Sequence, residues 1–160
     1  MALGILAADA HKDEIAEEHF LAAQKLFPGF DERPLAAELE LAKLYERTQR
    51  HDLAMAATER WLAYESGAPT ETRAVATWHA ERGRFAESLA YFARANEIDP
   101  FVWRVHEGWG DALAALGKHA EAQREFRVAR SIPATLEGDR EGAADEPARA
   151  RLLAKEARAL

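Results

Sequence analysis

Along most of this chain, apolar residues recur every three to four positions, and polar residues fill the other side of a 3.6-residue turn. Stretches of about 12–15 residues with this pattern predict amphipathic helices. They are separated by short breaks, among them Gly83, Pro100, Gly117 and Pro133. The breaks are themselves periodic. A step of 34 residues carries Gly83 to Gly117, Ser88 to Ala122, Phe92 to Phe126 and Ala95 to Ala129, and it places Pro100 beside Pro133. The same step backwards puts Ser88 on Ala54, Ala95 on Trp61, and Trp109-Gly110 (two steps) on Leu41-Ala42. At the N-terminus, Leu3-Gly4, Ala7, Ala16, Phe20, Ala23 and Pro28 keep the internal spacing but lie four residues further upstream, an offset that the segment 29–34 absorbs as a longer turn.

These residues resemble the tetratricopeptide repeat, whose units carry a large residue, Leu-Gly, a tyrosine, and later alanine, an aromatic, alanine and proline. In the fourth unit the matching residues are Trp109-Gly110, Leu113, Gly117, Ala122, Phe126, Ala129 and, one place early, Pro133. The third unit offers Ala76, Gly83, Phe92, Ala95 and Pro100; the second offers Leu41, Ala42, Tyr45 and Ala54, and is degenerate at Thr58 and Trp61. The resemblance implies an all-α fold, a right-handed superhelical stack of antiparallel helix pairs. We divide the chain into repeats at about 1–30, 35–68, 69–102 and 103–134 within a single domain, a loop at 135–146 and a C-terminal helix at 147–160. Within each pair, Gly4, Ala42, Ala76 or Gly110 lets the helices approach, and Ala16, Ala54, Ser88 or Ala122 faces it from the second helix. Phe20, Phe92 and Phe126 are expected to fill space toward the next repeat, because one pair cannot bury its own apolar face. The last helix reads either as a polar cap or as the first helix of a fifth repeat.

Composition narrows the chemistry. The 28 acidic and 21 basic side chains give a formal charge of −7, which favours solubility and argues against a general nucleic-acid surface. The absence of cysteine excludes disulfides, thiolate nucleophiles and thiolate metal sites. No stretch approaches the ~20 apolar residues of a membrane helix, and we expect a cytoplasmic protein without a targeting signal. There is no phosphate-binding glycine loop, nucleophile elbow or His-Glu-x-x-His helix. We therefore expect no enzyme activity, no cofactor and no metal site. His51 and His119 share one repeat position, His79 takes the repeat's tyrosine position and His106 its tryptophan position, so packing or turn roles are expected for all four. Asp13, Glu14, Glu17 and Glu18 read as a solvated helix face. Trp61 replaces a small residue and demands repacking, Trp109 reads as core, and Trp78 and Trp103 read either as inter-repeat packing or as partner anchors.

In the family, the first helices line a concave surface that grips extended peptides or helices. The positions that match it here are Lys43, Glu46 and Arg47, then Arg73, Thr77 and Glu81, then Arg104, Glu107 and Asp111. Four of these nine are basic in an acidic chain, which suits an acidic segment or a C-terminal carboxylate. The family's chaperone-tail clamp uses paired asparagines, and Lys43 and Ala74 stand at those positions, so that use is not expected. Three functions are carried forward: a protein-interaction scaffold, an accessory repeat domain cut from a larger and enzymatic bacterial protein, and a self-assembling module forming homo-oligomers.

Overall fold

The structure, a computed structural model, describes residues 1–26, 36–132 and 146–159. Pro28, the turn expected at 29–34, Pro133 and nearly all of the loop at 135–146 lie outside these residues. The described residues form helices only: α1 (Ala2–Asp9), α2 (Asp13–Leu26), α3 (Ala37–Arg47), α4 (His51–Leu62), α5 (Pro69–Glu81), α6 (Phe85–Ile98), α7 (Trp103–Ala115), α8 (His119–Ser131) and α9 (Glu146–Arg158). They divide into two compact units, Met1–Gly67 and Ala68–Leu160. In the first, α1 packs on α2, α2 on α3 and α3 on α4; in the second, α5 to α9 pack in the same consecutive manner, and α5 also meets α7.

One turn is built four times. After the first helix of each pair the backbone passes through a left-handed residue: His11 at φ 55°, Gln49 at 59°, Gly83 at 71° and Gly117 at 73°. At each turn the next amide reaches back across the helix end, from Lys12 to the Ala7 carbonyl, Arg50 to Tyr45, Arg84 to His79 and Lys118 to Leu113, all at 2.8–3.0 Å. This double closure satisfies carbonyls that the helix end would leave bare. Glycine takes that backbone without penalty, whereas a side chain there costs on the order of 1 kcal/mol. Gln49→Gly should therefore stabilise the first unit by about 0.5–1 kcal/mol and Gly117→Ala destabilise the second by a similar amount. Urea unfolding of each variant checks both signs.

The cores show why the repeat wants a glycine and a phenylalanine. A Cβ added to Gly4 would lie 2.6 Å from the Phe20 ring, and one added to Gly110 would lie 2.5 Å from the Phe126 ring. In these two pairs the aromatic ring seats on the glycine of its own pair. The same rings also fill space toward the next helix, as expected: Phe20 clusters with Leu41, Leu44 and Tyr45 of α3, and Phe126 with Ala148 and Leu152 of α9. Phe92 reaches the next pair as well: a Cβ on Gly108 of α7 would come within 2.5 Å of its ring.

The second pair solves the same problem with the bulk moved. Thr58 takes the phenylalanine position and Trp61 the following alanine position, and both are buried. The Thr58 hydroxyl donates to the Ala54 carbonyl at 3.0 Å, so it is satisfied inside the core. A small residue for a large one, and a large for a small one three places on, conserves volume on one helix face. Trp103, which the sequence leaves open, is buried with Leu113, Phe126, Ala148 and Leu152. Trp78 is half-buried, edge-on to His79 at 4.9 Å, with the Arg84 guanidinium 4.2 Å from its ring. His79 is buried and stacks on Tyr91 at 5.4 Å.

Candidate interaction surface

α3, α5 and α7 bury their apolar stripes, and most of the predicted polar positions lie on their exposed sides. On α3, Leu41, Leu44 and Tyr45 are buried while Lys43, Glu46 and Arg47 are exposed. Lys43 pairs with Glu40 one turn earlier at 2.6 Å, and His51 pairs with Glu46 at 3.0 Å. Arg47 has a structural task that the repeat pattern does not announce. Its guanidinium donates to the Ala8 carbonyl at 3.1 Å and pairs with Asp13, so it bridges the end of α1 and the start of α2. A cation is favoured at the first site by the helix dipole and at the second by the carboxylate. Beside it, Glu17 accepts from the Tyr45 hydroxyl at 3.0 Å and pairs with Arg50 at 2.8 Å. Burial, and then the bond to Glu17, hold the Tyr45 hydroxyl above its ordinary pKa. The acidic run at Asp13–Glu18 is thus partly a set of partners for α3 rather than only a solvated face.

In the second unit, Thr77 is exposed on α5 and its hydroxyl donates to the Arg73 carbonyl at 3.0 Å; Arg73, one turn earlier, is half-buried. Arg104 is exposed on α7, its guanidinium 4.7 Å from the Trp103 ring. Glu81 is exposed and 4.0 Å from Arg82. The positions on α7 are handled differently. Arg151 of α9 grips Glu107 with two bonds at 2.8 and 3.2 Å, and Lys155 reaches Glu107 at 3.0 Å and Asp111 at 2.6 Å. On the other side of α9, Glu156 accepts from Arg127 at 3.0 Å and Arg130 at 3.1 Å. The final helix therefore engages two of the four acidic positions of the predicted set, both on α7. Nothing in the 34-residue period signals this, because the partners are 44 to 48 residues apart and α9 carries no repeat motif.

Glu107 titrates below the ordinary glutamate range: burial raises its pKa, but the bonds and charges of Arg151 and Lys155 outweigh that. A carboxylate whose pKa is lower folded than unfolded adds stability that is complete above the unfolded value and lost as pH falls through the folded one. Acidification below the usual glutamate range should therefore loosen α9 first. Amide exchange measured between pH 6 and pH 3 should show protection falling in α9 before α7 and α8.

The buried His106 ring joins two further elements, Nδ1 lying 2.8 Å from Glu125 of α8 and Nε2 3.1 Å from the Pro100 carbonyl. His106 thus has the packing role expected of its repeat position. Among the described residues no group of three histidines, cysteines or carboxylates is arranged to hold a metal ion, and no helix is long and apolar enough to cross a membrane.

Comparison with known proteins places the fold. No family model matches the chain, and no curated sequence does. Solved structures do match. The chain is similar to a crystal structure of MamA at a TM-score of 0.61 and 13% identity, over 99% of this chain and 95% of that one. A second MamA structure gives 0.62 and 14%, over 100% and 87%. The pilF protein of Pseudomonas aeruginosa gives 0.54 and 20%, over 98% and 67%. The fold is a tetratricopeptide-like helical solenoid.

Proposed function

We propose that this chain is a tetratricopeptide-repeat scaffold for protein–protein interaction that grips an extended peptide or a helix in a concave groove lined by its first helices. The observation that carries the reading is the neighbouring arrangement of α5 and α7, which carry the half-buried Arg73 and the exposed Thr77 and Arg104. Glu107 and Asp111 on α7 are matched by cations from α9. Cations on such a face favour a partner rich in carboxylates. In the first unit Lys43 and Arg47 are already engaged by Glu40 and by Asp13 with the Ala8 carbonyl, so the preference rests on α5 and α7.

The test is direct binding of an acidic peptide panel, including free C-terminal carboxylates, by fluorescence anisotropy. Arg73→Glu and Arg104→Glu should each weaken the best binder by about tenfold, equivalent to about 1.4 kcal/mol, without changing helicity. Binding that ignores both substitutions rejects the groove.

A further inference from the structure

α1 is the least satisfied helix in the structure. Its residues from Ala2 to Ala8 include no charged side chain, yet Leu3 and Leu6 are each 64% exposed. Helices that are apolar on every side are normally buried. The internal repeat says what is missing. Leu3 and Leu6 stand where Leu41 and Leu44 stand in α3, 38 residues on. There the two leucines are buried in the core of the first unit together with Phe20 and Ala16 of α2. The same face of α1, completed by Ala2 and Ala10, has no helix over it among the described residues.

α9 presents a face that fits. Its inner side buries Ala148, Leu152 and Ala159, while Ala150, Leu153, Ala154 and Ala157 form an outward apolar strip at helical spacing, Leu153 being 53% exposed. Small side chains with one leucine allow another helix to approach closely. The charges at the rims of the two faces are also of opposite sign. Asp9 borders the exposed face of α1 three residues beyond Leu6, and the exposed Arg158 borders that of α9 four residues beyond Ala154.

We infer that the Leu3–Leu6 face of α1 is an interaction surface for a second copy of this chain, and that the occupant is the outward face of that copy's α9. The contact is heterologous: each copy offers one α1 face and one α9 face, so association continues head to tail until it closes or is capped. It uses none of the groove positions, and it stands or falls independently of the groove.

The experiment is multi-angle light scattering and sedimentation velocity on the 160-residue chain over a wide concentration range, with Leu6→Glu and Leu153→Glu. Both side chains are exposed, so both variants should keep the helicity of the parent. The parent should grow in mass with concentration. Each variant alone should be monomeric, because each has lost one of the two faces. Mixed in equal amounts they should form a dimer and stop there, since one intact α1 face and one intact α9 face remain between them. A parent chain that is monomeric throughout, a Leu153→Glu chain that associates as the parent does, or a mixture that stays monomeric would each overturn the inference. Retained peptide binding by a monomeric variant would leave the groove standing while this surface is tested separately.

Discussion

Gly110→Ala is expected to destabilise the second unit by about 1–3 kcal/mol, the usual range for forcing one extra carbon into a packed core. Propensity alone predicts the opposite, since alanine is favoured over glycine inside a helix by about 1 kcal/mol. The steric effect wins because the new Cβ would sit 2.5 Å from Cε1 and 2.7 Å from Cδ1 of Phe126, a ring that is itself fully enclosed. The ring cannot swing aside without displacing Trp103, Leu113 and Leu152, which share its cluster. The sign should reverse when the ring is removed. Phe126→Ala by itself should cost about 3–5 kcal/mol. Added to that background, Gly110→Ala should be neutral or favourable by up to about 1 kcal/mol. Urea unfolding of the four proteins gives the coupling directly. Additive effects would mean that the ring does not limit this helix approach.

Leu152→Ala should undock α9. Leu152 is the most buried side chain of that helix, and truncating a leucine in such a site costs about 2–5 kcal/mol. Stack energetics are close to nearest-neighbour sums, so the loss should fall on the last interface and leave α5–α7 intact. Amide exchange should accelerate throughout α9, and the Arg151 and Lys155 bonds to Glu107 should go with it. Released from those cations, Glu107 should titrate closer to an ordinary glutamate, which NMR of its side chain can follow. Slow exchange in α9 together with fast exchange in α5 would contradict this order of stabilities.

The helical elements and the small-against-large pattern inside each pair are legible in the sequence because they are local. A 3.6-residue apolar period, a glycine at the turn and an aromatic at a fixed offset are all encoded within some 30 residues. The left-handed turn is legible where glycine fills it, at Gly83 and Gly117, and hidden at His11 and Gln49, where other residues adopt the same backbone. The second pair looked degenerate because its bulk had moved from the Thr58 position to Trp61. A reading by position misses that exchange; a reading by volume on one helix face could have found it.

The candidate surface was less legible. Periodicity identifies which side of α3, α5 and α7 is polar, since that is the complement of the buried stripe. It cannot say which of those polar groups is already engaged. Arg47 holds the α1–α2 corner, and Glu107 and Asp111 are held by α9, through contacts 34 to 48 residues apart in sequence. By itself the sequence determined the all-α repeat and its 34-residue register, because those follow from the spacing of small, aromatic and turn residues. Tertiary structure alone decided which glycine each phenylalanine seats against, which acidic positions α9 covers, and that Leu3 and Leu6 are left outside. The reason is physical: propensity and period act along the chain, whereas burial and charge pairing depend on which helix arrives next to which.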